Sequence, residues 1–227
     1  LKVTLQIIIN FKTFLKIFFS LDFIYLMLVL LISKLGIKLF KTFHGWRIVA
    51  SSGFINMFSV GIPFYAYSVF YIHLQDEFNA GRFLISSTLS IMIIAAGVFA
   101  PICGQLVDKF SLKNILSIGA IIFGLGLISL SFCQSYYQFL IVYGSIVALG
   151  MTLFGNLATA KLISNWFKKK IGSAIGFAAL GISLSGVFIP PITVYLINLY
   201  GWRVTYVIFG IFIILFFVPF CRYLIVN

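Results

Sequence analysis

Charged side chains are rare in this chain, and one stretch places an acid directly beside a base. The stretch is GQLVDKFSLK, residues 104–113, in which Asp108 precedes Lys109. Only 9% of the 227 residues are charged, and long apolar runs flank the pair on both sides. An acid beside a base could serve general acid–base chemistry, but the sequence has no His/Asp/Glu cluster, no Ser–His pairing and no metal-ligand spacing. We therefore predict that the chain is not an enzyme and has no metal site or cofactor.

A second set of polar residues recurs at helical spacing inside an apolar run. Thr152, Asn156 and Thr159 fall on one face of a helix. Polar groups within a membrane usually face protein or a water-filled cavity, so these three either line a substrate cavity or bond to a neighbouring helix. Lys161, just beyond them, either binds an anion or, as we prefer, extends its ammonium group to the cytoplasmic face.

The elements that position these residues are apolar runs of membrane-spanning length. The chain is 62% hydrophobic with a mean hydropathy of +1.17, and a spanning helix needs about 20 apolar residues. Because only helices satisfy the backbone in such runs, we predict an all-α integral membrane protein with six transmembrane helices. The six spans cover about 48–72, 83–107, 114–133, 136–160, 171–200 and 203–222.

The placement of the basic residues gives a topology and explains the net charge of +12. Most of the lysines lie in three places: before span one, between spans two and three, and between spans four and five. This is the positive-inside pattern, so both termini of the six-span unit are expected in the cytoplasm, with no nucleic acid as partner. Trp46, Trp166 and Trp202 lie at span edges, where we expect them at the headgroup level.

The first 43 residues stand apart from the six-span unit of residues 44–227. Residues 17–33 are apolar except for Asp22, and lysines precede them. We expect this segment to be cytoplasmic or interfacial, with an extra hydrophobic helix or non-native sequence as open alternatives. Because the chain begins at Leu1 and ends just after an apolar run, we expect a fragment.

Two motifs resemble those of one transporter family. Six spans with Gly104, Asp108, Lys109 and Lys113 between the second and third resemble the N-terminal half of a major facilitator superfamily transporter. Ser111 and Leu112 depart from that family's loop pattern. The stretch WFKKKIGSAIGFAALG, residues 166–181, is similar to the signature of monocarboxylate porters and oxalate:formate antiporter-like proteins. The stretches HGWRIV and GWR are also similar to that subfamily.

This resemblance implies a fold, a function and roles for residues. The fold would be the half of a transporter built as a three-plus-three inverted repeat, and the other half would be a C-terminal partner. The function would be secondary active transport of a small organic anion, such as a mono- or dicarboxylate, by alternating access, with a proton or counter-anion as a possible second ligand. Asp108 would be the latch of a gating loop, and the membrane would be the plasma (inner) membrane.

The resemblance also points to spans one and four as the lining of the substrate cavity. In span one, two opposite faces qualify by periodicity, and the second of them carries Asn56, Ser59, Pro63 and Tyr67. The subfamily has an aromatic residue at the place of Tyr65, which favours the first face. The candidates are Phe58, Tyr65 and Ser68 in span one and Thr152, Asn156 and Thr159 in span four.

Small residues in span five suggest close helix packing. Gly172 and Gly176 form one small-xxx-small pair, and Gly181 and Ser185 form another. Such rows either pack a static interface or let the helix rock against a partner. No acid, lysine or arginine lies at the centre of any of the six spans. That absence keeps open an alternative function, a non-transporting six-span subunit or scaffold.

Overall fold

The computed structural model of the protein describes residues 45–224, and that range is helical without strands. By its internal contacts the chain divides into Leu1–Trp46 and Arg47–Asn227, and the following account concerns the second unit. The expected interfacial segment of residues 1–43 lies outside the described residues. Within residues 45–224 there are five long helices: α1 (Gly45–Phe78), α2 (Arg82–Lys109), α3 (Leu112–Leu130), α4 (Tyr136–Trp166) and α5 (Ile171–Tyr223).

Each of these helices is long and apolar enough to cross a membrane. The all-α prediction is thus confirmed, and the first four predicted spans correspond to α1 to α4, except that α3 ends at Leu130, three residues before the predicted end of span three. The count differs at the end of the chain, because α5 covers both the fifth and the sixth predicted span. Helical geometry fails inside it at Gly201, with φ 79° and ψ 165°. That φ is one that favours glycine, so the break has a local sequence cause.

Residues on both sides of this break contact the same part of α1. A Cβ atom at Gly181 would lie 1.9 Å from the carbonyl oxygen of Gly53. The rings of Phe217 and Phe54 stack at 5.3 Å. Thus residues 171–200 and residues 202–223 both approach neighbouring positions of α1.

Three of the helices contain irregular turns. In α1, residues Gly61–Ala66 form a π-helical turn around Pro63, whose ring nitrogen has no hydrogen to donate. In α4, residues Tyr143–Val147 form a second π turn, and Gly155 interrupts the helix again with φ −95° and ψ −142°. A third π turn covers Ile213–Phe217 in α5. Single π turns often mark functional positions in helices.

The core between the helices is built from aromatic rings and from glycine contacts. The ring centroid of Phe217 lies 5.4 Å from that of Phe58 and 5.1 Å from that of Phe154. At Gly150, a Cβ atom would come within 2.5 Å of the backbone of Phe123. The helix backbones therefore touch directly at such points, the arrangement by which helices associate in lipid.

Candidate functional site

Asp108 lies in the last turn of α2, which ends at Lys109. A carboxylate there could cap the start of a following helix, but the structure places it at the C-terminal end of its own helix. The helix dipole disfavours negative charge at that end. Asp108 is compensated by Lys161 of α4, whose Nζ atom lies 2.7 Å from its Oδ1 atom. The ion pair therefore joins the ends of α2 and α4.

The sequence predicted that the ammonium group of Lys161 reaches the cytoplasmic face. In the structure this group also pairs with the Asp108 carboxylate. The side chains of Lys161 and Asp108 remain 44% and 64% exposed. An ion pair this open to water contributes at most about 1 kcal/mol. The pair lies in a surface cavity of about 460 Å³ whose lining also includes Asn165 and Trp166. Such a pair can form and break at little cost.

The other residues of the predicted gating loop are not part of this pair. Gly104 is half-buried, and a Cβ atom there would meet no atom within 4 Å. Lys109 is exposed and Lys113 half-buried, and neither makes an ion pair with a described residue. The structure therefore brings Asp108 together with Lys161 and with none of the three residues grouped with it from the sequence.

Four of the six candidate cavity residues keep access to the surface. Tyr65 is 37% exposed, and the exposed Ser68 donates a hydrogen bond to the Tyr65 carbonyl at 2.7 Å. Asn156 is exposed, and Thr152 is half-buried with its hydroxyl donating to the Ala148 carbonyl at 2.7 Å. These residues lie on α1 and α4 and can offer hydroxyl, amide and aromatic groups to a ligand.

The other two candidates, Phe58 and Thr159, are buried, and their role in a substrate cavity stays a prediction. Phe58 is 7% exposed and packs among the phenylalanines of the core. Thr159 is fully buried, and its hydroxyl donates to the amide oxygen of Asn56 at 3.0 Å. A buried polar group needs such a partner, which explains the pairing. The bond shows that Asn56, on the second of the two faces of span one, packs against α4.

The small residues of α5 fall into two groups. A Cβ atom at Gly61 would lie 2.7 Å from the Cβ atom of Ser185, and Gly181 contacts Gly53 as described above. These residues hold α5 against α1 at close range. At Gly172 and Gly176, by contrast, a Cβ atom would meet no described atom within 4 Å. Within residues 45–224, no neighbouring helix therefore packs closely on Gly172 and Gly176.

Arg203 forms a cluster that the sequence patterns did not single out. Its guanidinium donates to the carbonyls of Ser131 and Cys133 at 2.8 and 2.9 Å, and to the Glu77 carboxylate at 2.9 Å. The guanidinium carbon also lies 4.5 Å from the ring centroid of Trp202. These contacts tie together the ends of α1 and α3 and the residues after Gly201. The only signal in the sequence was the position of Arg203 in the motif GWR.

Trp202 itself differs from the prediction. It is 7% exposed, with its ring 6.0 Å from Phe78 and 6.2 Å from Tyr206. A headgroup anchor would keep its ring at the surface, whereas this ring fills space between helix ends.

No cluster of three metal-ligating side chains occurs among the residues that the structure describes.

Comparison with known proteins identifies relatives over most of the chain. Residues 49–227 match the family model described as Major Facilitator Superfamily. Monocarboxylate transporter 4 of Rattus norvegicus is 32% identical over 179 residues, which is 77% of this chain and 37% of the relative. The MFS-type transporter YcxA of Bacillus subtilis is 28% identical over 160 residues, covering 70% of this chain and 39% of the relative.

Human relatives extend the same picture. Monocarboxylate transporter 1 of Homo sapiens is 28% identical over 166 residues, covering 73% of this chain and 33% of the relative. The chain therefore spans between 33% and 39% of the length of these curated relatives.

Proposed function

The chain belongs to the Major Facilitator Superfamily, and from this premise we propose that it forms part of a secondary active transporter for a small organic anion. Members of this superfamily are transporters and not enzymes. The apolar helices support an integral, multi-pass membrane protein. The relatives named monocarboxylate transporters support a monocarboxylate as the substrate, and a dicarboxylate is the second candidate of the proposal. Transport by alternating access, with a proton or counter-anion as second ligand, belongs to the same proposal.

The proposed topology has six spans, with both ends in the cytoplasm of a plasma (inner) membrane. The break at Gly201, and the contacts of Gly181 and Phe217 with neighbouring residues of α1, support separate fifth and sixth spans. The lysines at alternate helix ends support the orientation. We further propose that the unit is an N-terminal half with a three-plus-three repeat, completed by a C-terminal half.

The observation that carries the substrate proposal is the accessible polar surface of α1 and α4. Tyr65, Ser68 and Asn156 are exposed, although both helices are otherwise strongly apolar. Polar groups inside a membrane are costly unless they meet water, protein or a ligand. An aromatic ring and hydroxyl and amide groups on these two helices would suit a small planar carboxylate, because a ring can cover its face while polar groups bond its edge.

The test is uptake by the full-length protein in proteoliposomes, with radiolabelled lactate, acetate, formate and oxalate as substrates. We expect saturable uptake of at least one carboxylate, and a weaker apparent affinity in Asn156→Leu. The control is Asn165→Leu, an exposed asparagine on the same helix at the Lys161 cavity, which should leave affinity unchanged. Absence of uptake for all four anions, in protein that is correctly folded, would reject the carboxylate proposal.

We also propose that the Asp108–Lys161 pair acts as the latch of the gating loop. The pair joins α2 to α4 at the cytoplasmic end in the proposed topology, and its low strength lets it open in each cycle. Asp108→Asn should slow the maximal uptake rate several-fold while the amount of protein in the membrane stays the same. Lys109→Gln is the matched control, because Lys109 makes no ion pair with a described residue. Equal rates for Asp108→Asn and Lys109→Gln would exclude the latch.

A further inference from the structure

The π turn of α1 is held by contacts from three other helices. Pro63 lies inside this turn, and its carbonyl accepts a hydrogen bond of 2.7 Å from the hydroxyl of Tyr143 in α4. Tyr67, directly after the turn, donates to the carbonyl of Ile85 in α2 at 2.7 Å. Gly61, at its start, lies against Ser185 of α5. The turn therefore has defined neighbours at its beginning, middle and end.

The bond from Tyr143 joins two irregular turns to each other. Tyr143 is itself the first residue of the π turn in α4, so each helix departs from α-helical geometry at the shared contact. Both Tyr143 and Tyr67 are 1% exposed, and their rings lie 5.3 Å apart. A hydrogen bond in such a dry setting is not replaced by water when it is lost.

Tyr65 belongs to the same π turn and keeps access to the surface. Its side chain is 37% exposed, and its ring lies beside Gly186 of α5, where a Cβ atom would come within 3.1 Å of it. A π turn contains one residue more than an α turn, so its loss would rotate the following residues by about 100° about the helix axis. The direction of Tyr65 therefore depends on the π turn being kept in place.

We propose that Tyr143 is a positioning residue for the substrate surface, because its hydroxyl fixes the π turn that directs Tyr65. This inference rests on the proposed transport function and adds a buried residue that would act on ligand affinity through Tyr65. Tyr143 itself touches no ligand, since its side chain is enclosed between α1 and α4. Its part is to hold the Pro63 carbonyl and with it the register of the turn.

The structure provides a matched control for the removal of this hydroxyl. Tyr206 is also 1% exposed, and its ring, like that of Tyr143, packs on Phe139. The Tyr206 hydroxyl, however, has no hydrogen-bond partner among the described residues. Tyr143→Phe and Tyr206→Phe therefore make the same chemical change at similar depth, and only the first removes a bond.

The first measurement is the concentration dependence of carboxylate uptake by the full-length protein. Tyr143→Phe should raise the KM for uptake about five-fold, as expected for the loss of one hydrogen bond, with a maximal rate within about two-fold of wild type. Tyr206→Phe should leave both constants unchanged. A fall in the maximal rate with an unchanged KM would contradict a positioning role and indicate a structural one.

The second measurement does not require transport. The three natural cysteines of the chain are buried, so a Tyr65→Cys variant offers one accessible thiol. Its reaction rate with a water-soluble thiol reagent should change at least three-fold when Tyr143→Phe is added, and should not change with Tyr206→Phe. Equal rates in the two backgrounds would overturn the inference. If no anion is transported, the function proposed above fails, while this labelling result still decides the role of Tyr143.

Discussion

Replacing Arg203 by alanine should destabilise the protein more than any other single surface substitution among the contacts described. The guanidinium bonds the carbonyls of Ser131 and Cys133 and the carboxylate of Glu77, and it also lies over the Trp202 ring. Alanine removes all four contacts and leaves the end of α3 without the donors for its carbonyls. No other described side chain links as many helix ends.

The size of the effect follows from the exposure of each contact. Each hydrogen bond to a carbonyl contributes about 1 kcal/mol. The ion pair with Glu77 contributes only about 0.5 kcal/mol, because its side chains are 35% and 44% exposed and water screens them. The contact with the Trp202 ring adds about 0.5 kcal/mol. Arg203→Ala should therefore lower the free energy of unfolding by about 3 kcal/mol.

Two milder variants separate these contributions. Arg203→Lys keeps the charge, but one ammonium group cannot span three acceptors, so a loss of about 2 kcal/mol is expected. Glu77→Gln removes only the charge of one exposed partner and should cost less than about 1 kcal/mol. Unfolding in detergent, followed by circular dichroism in an SDS titration, measures all three. A loss below about 1 kcal/mol for Arg203→Ala, or an equal loss for Glu77→Gln, would refute the assignment.

Two further predictions concern contacts between helices. Gly181→Ala should destabilise the protein by about 1–3 kcal/mol, because the new methyl group would overlap the Gly53 carbonyl. The same change at Gly172, where no described atom lies within 4 Å, should be neutral or slightly stabilising; equal losses at the two glycines in thermal unfolding would contradict the contact. Thr159→Val should cost about 1–3 kcal/mol, because it leaves the buried amide oxygen of Asn56 without its donor. The double variant with Asn56→Leu should recover part of this loss, and strictly additive effects would rule out the pairing.

The features that sequence predicted well are those that depend on local composition. Helix boundaries follow from the length of apolar runs and from residues such as Ser135. The hydroxyl of Ser135 accepts a hydrogen bond from the backbone N–H of Gln138 at the start of α4. In α5 the predicted boundary between the fifth and sixth spans falls at residues 200–203, where the structure interrupts helical geometry at Gly201 but shows no loop. A glycine at positive φ is visible only once the backbone is known.

The site was predicted less completely, because its contacts join residues far apart in the chain. Asp108 and Lys161 were each singled out, but helical periodicity carries no information about pairing between α2 and α4. For the same reason, periodicity along α1 does not reveal that Thr159 of α4 bonds Asn56. Tyr143 gave no signal at all, since one tyrosine in an aromatic-rich helix is not a pattern.

The break at Gly201 has a mechanical consequence for any movement of the helices. Residues 171–200 and 202–223 are joined through one non-helical residue, so the connection has no slack to absorb a displacement. A shift of one segment along its axis must therefore displace the other segment as well. Because Gly181 and Phe217 both contact neighbouring residues of α1, such a shift loads α1 from two sides at once. These three stretches should therefore shift together when the helices move.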